Sequence, residues 1–112
     1  MTMKLGVMAP LPDGPEDALA NVRDLGFSTC QVVNWHEALF TDEMIDRLTN
    51  AAAETGIEIT TLWVGLPGRT VWNFLEGPIT IGLVPEWQRS KRLDVLKKGS
   101  DFARAAAIDS IT

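Results

Sequence analysis

The sequence predicts an α/β protein, the N-terminal portion of a (β/α) barrel of the TIM type with about four parallel strands. Short β-branched segments alternate with helical apolar patterns, which is typical of parallel strands joined by right-handed crossovers. Leu25-Gly26-Phe27 before one strand is echoed by Thr55-Gly56-Ile57 before the next, one strand–helix unit later. A closed barrel takes roughly 250 residues. We therefore expect residues 1–112 to be the N-terminal part of one barrel domain, with the C-terminal part outside this sequence.

The first strand and helix are predicted from the first 26 residues. Residues 4–9 form a short apolar stretch that stops at Pro10, as a strand does before residues that cannot continue a ladder. Pro15 suits a first helical turn, where its missing N–H would be unpaired anyway. Gly26 is the expected left-handed cap of this helix. The apolar positions of the helix are Ala18, Leu19, Val22 and Leu25.

The second strand and helix follow the same plan. Residues 27–33 have the apolar, β-branched content of a buried parallel strand. Thr41 is the predicted N-cap of the next helix, which ends at Gly56. The apolar stripe of this helix consists of Met44, Ile45, Leu48, Ala51 and Ala52.

The remaining chain predicts a third strand at residues 57–64, a long loop at 65–84, and a helix opened by Pro85. Gly99 is expected to bend or break that helix, because glycine costs about 1 kcal/mol relative to alanine in a helix interior. Residues 108–112 open a fourth strand. The predicted helix face is Leu93, Leu96, Phe102, Ala103, Ala106 and Ala107. The strand residues predicted to be buried are Val7, Val32, Ile59 and Leu62.

Composition argues against several classes of function. The formal net charge is −5, and the 10 Lys and Arg residues form no dense patch, so we expect no nucleic-acid partner. No apolar run reaches the roughly 20 residues of a membrane span, and no signal peptide precedes the first strand, so we expect a cytoplasmic protein without a membrane partner. The single cysteine, Cys30, lies within an apolar strand and is predicted to be a buried, inert side chain. The turn after strand one, residues 9–14, lacks the G-x-G-x-x-G pattern of a dinucleotide-binding sheet.

Four segments together resemble one family, the xylose isomerase-like TIM barrels, which include the sugar phosphate isomerases and epimerases and the AP endonuclease branch. They are Met3-Lys4-Leu5-Gly6-Val7, Asp24-Leu25-Gly26-Phe27, Gln31-Val32-Val33-Asn34-Trp35 and Glu54-Thr55-Gly56-Ile57-Glu58-Ile59. Endonuclease relatives place a metal-binding histidine at the end of an early strand, where this chain has residues 61–65 without one. That departure argues against the DNA-repair branch.

The resemblance implies a metal-dependent isomerase or epimerase of a sugar or sugar phosphate, which moves a proton next to a carbonyl. It also implies a divalent metal, such as Mn, Mg, Co or Zn, held by residues of later strands. We therefore expect no metal ligand and no catalytic residue within this chain. Two alternatives stay open: a lyase similar to inosose dehydratase, and a non-catalytic half-barrel that associates through its exposed sheet edges with a missing half or, as a homo-oligomer, with a copy of itself.

The predicted substrate-binding residues are Trp35, His36, Trp63 and Gly65, because a barrel's active site lies at the C-terminal ends of its strands. A flat indole can pack against the C–H face of a sugar or polyol while its N–H bonds a hydroxyl. His36, the only histidine, could bond a substrate hydroxyl or serve a structural role in a loop. Residues 65–84 are expected to fold over this rim as part of a lid.

Further side chains are weighed for the same site and given less weight. Trp72 and Trp87 could pack the lid. Arg69, Arg89 and Lys91 could meet an anionic group of the substrate, although solvated surface charge is the simpler interpretation of each.

Overall fold

The computed structural model describes residues 2–112, in which strands and helices alternate as predicted. Two short 3₁₀ turns, Leu11–Asp13 and Glu37–Leu39, follow the first and second strands. No helix within residues 2–112 is both long and apolar enough to cross a membrane. The elements are β1 (Gly6–Pro10), α1 (Pro15–Asp24), β2 (Thr29–Asn34), α2 (Asp42–Thr55), β3 (Glu58–Val64), α3 (Gly77–Thr80) and α4 (Glu86–Ala105).

The three strands form one parallel sheet in the order β1-β2-β3. The register shifts once, between Cys30 and Gln31, so that Thr60 of β3 is an extra residue. The Thr60 hydroxyl donates a hydrogen bond to the Cys30 carbonyl oxygen at 3.2 Å. This parallel α/β arrangement confirms the predicted fold class, since each crossover is a helix rather than a hairpin turn.

The last residues run parallel to β3 on its free edge. The Leu62 N–H donates to the Ser110 carbonyl at 2.9 Å, and the Thr112 N–H donates back to the Leu62 carbonyl at 3.0 Å. Ile111 thus makes an isolated parallel bridge with Leu62. The predicted fourth strand is present here as a bridge rather than a full strand.

The core lies between the sheet and the helices, and it is built from alternate strand residues because successive side chains point to opposite faces. Val32 and Leu62 are buried as predicted. Val7 and Ile59 are only partly buried, because each lies one residue from the start of its strand. The helix-facing strand residues in the core are Ala9, Cys30, Val32, Leu62 and Val64.

Capping residues set the ends of α1 and α2. The Thr41 hydroxyl accepts a hydrogen bond from the Met44 N–H at 3.2 Å and starts α2. Gly26 and Gly56 follow the two helices with φ of 86° and 72°, the left-handed region that glycine adopts without penalty. These three predicted caps are therefore confirmed.

Helix α4 differs from its prediction in two ways. It is continuous from Glu86 to Ala105, so the predicted break at Gly99 is wrong. Gly99 lies where the helix crosses Val64 of β3, and a Cβ at this position would overlap the Val64 side chain. Leu93 and Ala107, predicted to face the core, are exposed. Phe102, Ala103 and Ala106 are buried as predicted, and Leu96 is partly buried. The buried residues of the helix that were not predicted are Gln88, Arg92, Val95 and Gly99.

Residues 65–84 are folded rather than structureless. Asn73 Oδ1 accepts hydrogen bonds from the Leu75 and Glu76 N–H groups at 3.0 and 2.6 Å, which turns the chain into the short helix α3. The Val71 N–H donates to the Thr80 hydroxyl at 3.1 Å and closes the segment on itself. We call residues 65–84 the covering segment.

Candidate functional site

A pocket of about 370 Å³ lies where β2 and β3 end and the covering segment begins. Trp35 follows β2 directly, Trp63 is the penultimate residue of β3, and Trp72 comes from the covering segment. The remaining wall is mainly aliphatic. The side chains lining the pocket besides the tryptophans include Val64, Leu66, Thr70, Ile81, Leu83 and Leu96.

The three tryptophans form one cluster. The ring centroids of Trp35 and Trp63 are 6.0 Å apart with the planes at 54°, and those of Trp63 and Trp72 are 6.4 Å apart at 80°. Tilted and edge-to-face pairs at these distances are favourable because the positive ring edge meets the negative ring face. Trp35 and Trp72 remain 44% and 64% exposed. The cluster therefore stabilises itself and still offers indole surface to a ligand.

Gly65 and Asn34 fix the position of Trp35. The Gly65 N–H donates to the Asn34 carbonyl at 2.8 Å, and a Cβ at Gly65 would overlap the Trp35 indole. The Asn34 side chain is buried; its Nδ2 donates to the His36 carbonyl at 2.9 Å, and its Oδ1 accepts from the His36 N–H at 3.0 Å. This local ring of bonds turns the chain sharply after β2. Asn34 was not singled out in the sequence, although an Asn at a strand end is a turn signal.

His36 lies at the same end of the sheet, but its exposed side chain is not among those lining the pocket. It precedes the 3₁₀ turn, from which Glu37 extends to Lys98 of α4, with Oε2 and Nζ 3.0 Å apart. The structure thus brings Trp35 and Trp63 together, places Gly65 under Trp35, and leaves His36 outside the pocket.

Trp72 also lines the pocket, although the sequence predicted for it only a role in packing the lid. The apolar content of the covering segment predicted that its large side chains would pack. Trp72 does so against Trp63, whereas Phe74 and Leu75, for which packing was also predicted, are 101% and 88% exposed. Arg69 pairs with Glu76 at 2.7 Å on the surface, and Arg89 donates to the carbonyls of Leu83 and Val84. Neither arginine lines the pocket.

Residues 2–112 contain no cluster of side chains that fits a metal ion. No three His, Cys, Asp or Glu side chains in the part of the chain that the structure describes lie close enough together to hold one. None of the side chains lining the pocket is a carboxylate or an imidazole. Cys30 is buried under the helices, and burial raises the pKa of its thiol to about 11, so it is protonated at neutral pH.

A crystal structure of a xylose isomerase domain protein from Planctomyces limnophilus superimposes on the chain with a TM-score of 0.87 and 27% sequence identity. The superposition covers 99% of this chain and 39% of that one. The chain has the fold of the N-terminal portion of a xylose isomerase-like TIM barrel. No protein-family model and no curated protein matches the sequence.

Two further solved structures share the xylose isomerase-like fold. The apo 3-keto-D-glucoside 4-epimerase from E. coli has a TM-score of 0.65 and 19% identity, over 98% of this chain and 37% of that one. A D-psicose 3-epimerase crystallised in the presence of D-fructose has a TM-score of 0.64 and 16% identity, over 97% and 36%. The chain spans less than two fifths of the length of each of these structures. Its structural neighbours are thus sugar isomerases and epimerases by name.

Proposed function

We propose that this chain forms one side of the sugar-binding pocket of an isomerase or epimerase. The observation that carries the proposal is the cluster of Trp35, Trp63 and Trp72 around an open pocket at the C-terminal ends of β2 and β3. In barrels of parallel strands the active site lies at that end. The names of the structural neighbours support a sugar as the substrate.

The chemistry of the pocket suits one face of a sugar. A sugar ring or chain has C–H bonds on one side that pack against an indole, while each indole N–H can donate to a hydroxyl. The pocket lining otherwise offers aliphatic side chains and two threonines, Thr70 and Thr112. We propose that this wall orients the substrate through its carbon skeleton, and that most of its hydroxyls are recognised elsewhere.

An uncharged sugar suits this wall better than a sugar phosphate. No Lys or Arg side chain lines the pocket, and a phosphate dianion needs such partners or several backbone N–H donors. Arg69 and Arg89 are already engaged on the surface. Within the proposal, the reaction is therefore an interconversion of free ketoses or keto-glycosides.

The role of this chain in the proposed reaction is positioning and exclusion of water. Proton transfer next to a carbonyl needs a base of matched pKa, and a divalent metal would polarise the substrate oxygens. Neither function is assigned to the pocket residues, since their side chains supply no base and no metal ligand set. Trp72 and the covering segment shield the substrate from solvent, which would favour a proton transfer.

The test is the single replacement of Trp35 and Trp63 by alanine in the whole protein. We expect kcat/KM for D-psicose–D-fructose interconversion to fall about tenfold or more, or ~1.4 kcal/mol, for each variant. Trp87→Ala is the matched control, because Trp87 is exposed on α4 and does not line the pocket. Unchanged turnover in stable Trp35 and Trp63 variants would refute the sugar-binding role.

The same preparation separates the proposed reaction from the lyase alternative. An isomerase or epimerase converts one ketose into another of the same mass, whereas a dehydratase releases water and leaves a lighter product. Mass spectrometry of the products from ketoses, 3-keto-D-glucosides and inososes decides between them. Loss of water from an inosose, with no ketose interconversion, would replace the proposed reaction by the lyase.

A further inference from the structure

Arg92 of α4 is the most deeply buried charged side chain in the described part of the chain, with 0% of its surface exposed. It has no carboxylate partner among the ion pairs of residues 2–112. Its guanidinium donates instead to four backbone carbonyl oxygens. These are Pro67 at 3.0 Å, Thr80 at 2.7 Å, Gly82 at 2.6 Å and Arg69 at 3.2 Å.

All four acceptors belong to the covering segment. Pro67 and Arg69 lie near its start, and Thr80, the last residue of α3, and Gly82 lie near its end. A single side chain therefore gathers the two ends of the segment onto α4. A buried charge without a counter-ion is retained only where dipoles satisfy its donors, and here carbonyl groups of one segment do so.

Only arginine can make this set of bonds. The planar guanidinium spreads five N–H donors over a rigid fork, whereas a lysine ammonium concentrates three donors at one point. A neighbouring close contact tightens the same junction: Gly68, with φ of 88°, lies directly against the side chain of Gln88, one turn before Arg92. The buried face of α4 at this end is thus shaped to receive a backbone.

We infer that Arg92 is the positioning residue of the pocket, because it holds the wall that carries Trp72 in place before any ligand arrives. Ile81 and Gly82 line the pocket, and the carbonyls of Thr80 and Gly82 are bound to Nη1 of Arg92. Each of those carbonyls therefore already accepts a hydrogen bond from Arg92. The wall offers a ligand mainly indole and aliphatic surface, and it does not need to close.

This inference differs from the lid expected from the sequence. A lid changes between open and closed states, and its backbone hydrogen bonds exchange quickly with solvent in the open state. A wall fixed by a buried arginine has one state, with protected amides. The Val71, Gly77 and Ile81 N–H groups report on it, because each donates a hydrogen bond within the covering segment.

The experiment is hydrogen–deuterium exchange of the chain, read at the Val71, Gly77 and Ile81 amides, for the wild type and two variants. Arg92→Lys keeps the charge and removes the fork, and Arg92→Gln removes the charge. We expect these amides to exchange at least about tenfold faster in both variants, while amides of β2 and α2 are unchanged. Unchanged exchange at all three amides in a folded variant overturns the inference.

Arg89→Lys is the matched control. Arg89 lies on the same helix and also donates to two carbonyls, of Leu83 and Val84, but it is exposed. We expect its replacement to leave the three amides unchanged, and an equal effect from Arg89→Lys would overturn a special role for Arg92. If neither Arg92 variant folds, the wild-type chain decides: protection of these amides as strong as in α2 supports the fixed wall, and rapid exchange overturns it.

A second readout concerns the ligand, and this part rests on the proposed function. Binding of D-fructose, followed by tryptophan fluorescence, should weaken about tenfold in Arg92→Lys and stay unchanged in Arg89→Lys. Absence of any binding by the wild type would count against the proposed function and leave the exchange result standing. Wild-type binding that is equally strong in Arg92→Lys would overturn the positioning role while the proposed function survives.

Discussion

The Trp35 indole lies directly over the Gly65 backbone, so these two residues depend on each other. The contact exists because β2 and β3 end side by side and the Gly65 N–H bonds to the Asn34 carbonyl. Any side chain at Gly65 would occupy the space of the indole. The shape of the pocket at this point is therefore set by the absence of a single Cβ.

We expect Gly65→Ala to destabilise the chain by about 1 to 3 kcal/mol, the usual cost of overpacking, and to change the near-ultraviolet circular dichroism of the tryptophan cluster. Urea unfolding gives the first quantity. The control is the same substitution in a Trp35→Ala background, where the clash is gone and the cost should largely vanish. A full cost in both backgrounds would contradict the proposed contact.

The ion pair between Glu16 and Arg47 makes the free energy of unfolding depend on pH. Arg47 of α2 donates to Glu16 of α1 through two hydrogen bonds, of 2.9 and 2.7 Å. Those bonds from Arg47 lower the pKa of Glu16 from 4.5 to about 2. A carboxylate whose pKa is depressed on folding stabilises the folded state above pH 4.5, and the contribution is lost as pH falls from 4.5 towards 2.

We expect Glu16→Gln to remove the loss of stability that protonation of Glu16 causes at low pH. Both side chains are about half exposed, so the contribution is small, about 0.5 kcal/mol or less. Thermal unfolding between pH 2 and 7 should show the wild type and the variant converging at the acid end. Asp17→Asn serves as the control in the same helical turn. If the two unfolding temperatures differ by the same amount at every pH, the ion pair is not the source of the difference.

Helix α4 contacts two different parts of the protein along its length. Its N-terminal half binds the covering segment through Gln88 and Arg92, and its C-terminal half packs on β3 through Gly99. The Phe102 ring also meets Phe40, with centroids 5.0 Å apart. One continuous helix therefore ties the pocket wall to the sheet.

We expect Gly99→Ala to destabilise the chain, although alanine favours a helix by about 1 kcal/mol over glycine. The added Cβ would overlap Val64, and overpacking costs about 1 to 3 kcal/mol, so the clash outweighs the propensity. In a Val64→Ala background the order should reverse, with Gly99→Ala neutral or stabilising. Urea unfolding of the four chains measures both, and a stabilised single variant would contradict the close packing.

The elements were predictable because their ends carry local signals. Thr41, Gly26 and Gly56 each act within one turn of the chain, so the helix limits could be read from neighbouring residues. The role of Gly99 could not be predicted, because it depends on a contact between α4 and β3. The spacing of apolar residues along a helix carries no information about which distant residue the helix will meet. Arg92 was missed for a similar reason: a long charged residue in a helix usually faces water, and its acceptors lie 10 to 25 positions away.

At the scale of the whole molecule, the sheet is covered on one face and open on the other. On the open face, Met8, Gln31 and Thr61 lie side by side on the three strands. Val33 and Trp63 form the next row on the same face. Met8 is 57% exposed there. Both faces of a parallel sheet are ordinarily covered. We propose that, in the isolated chain, this open face and the sheet edges cause self-association.

Light scattering after size-exclusion chromatography tests the proposal on the 112-residue chain. We expect a dimer or larger species, and a shift towards monomer in Met8→Asp, which places a charge on the open face. Met3→Asp is the control, since Met3 is also exposed, at 86%, but lies outside the strands. A wild-type chain that remains monomeric at its solubility limit would contradict the proposal.

The order β1-β2-β3 along the sheet has a consequence for synthesis on the ribosome. Each strand pairs with the strand made just before it, and all three lie within residues 6–64. A growing polypeptide could therefore complete this sheet, with α1 and α2 packed on it, before α4 has left the exit tunnel. Such N-terminal units fold during translation, which proceeds at about 5 to 20 residues per second. The covering segment would then fold later than the sheet, because its backbone carbonyls can bind Arg92 only after that residue has emerged.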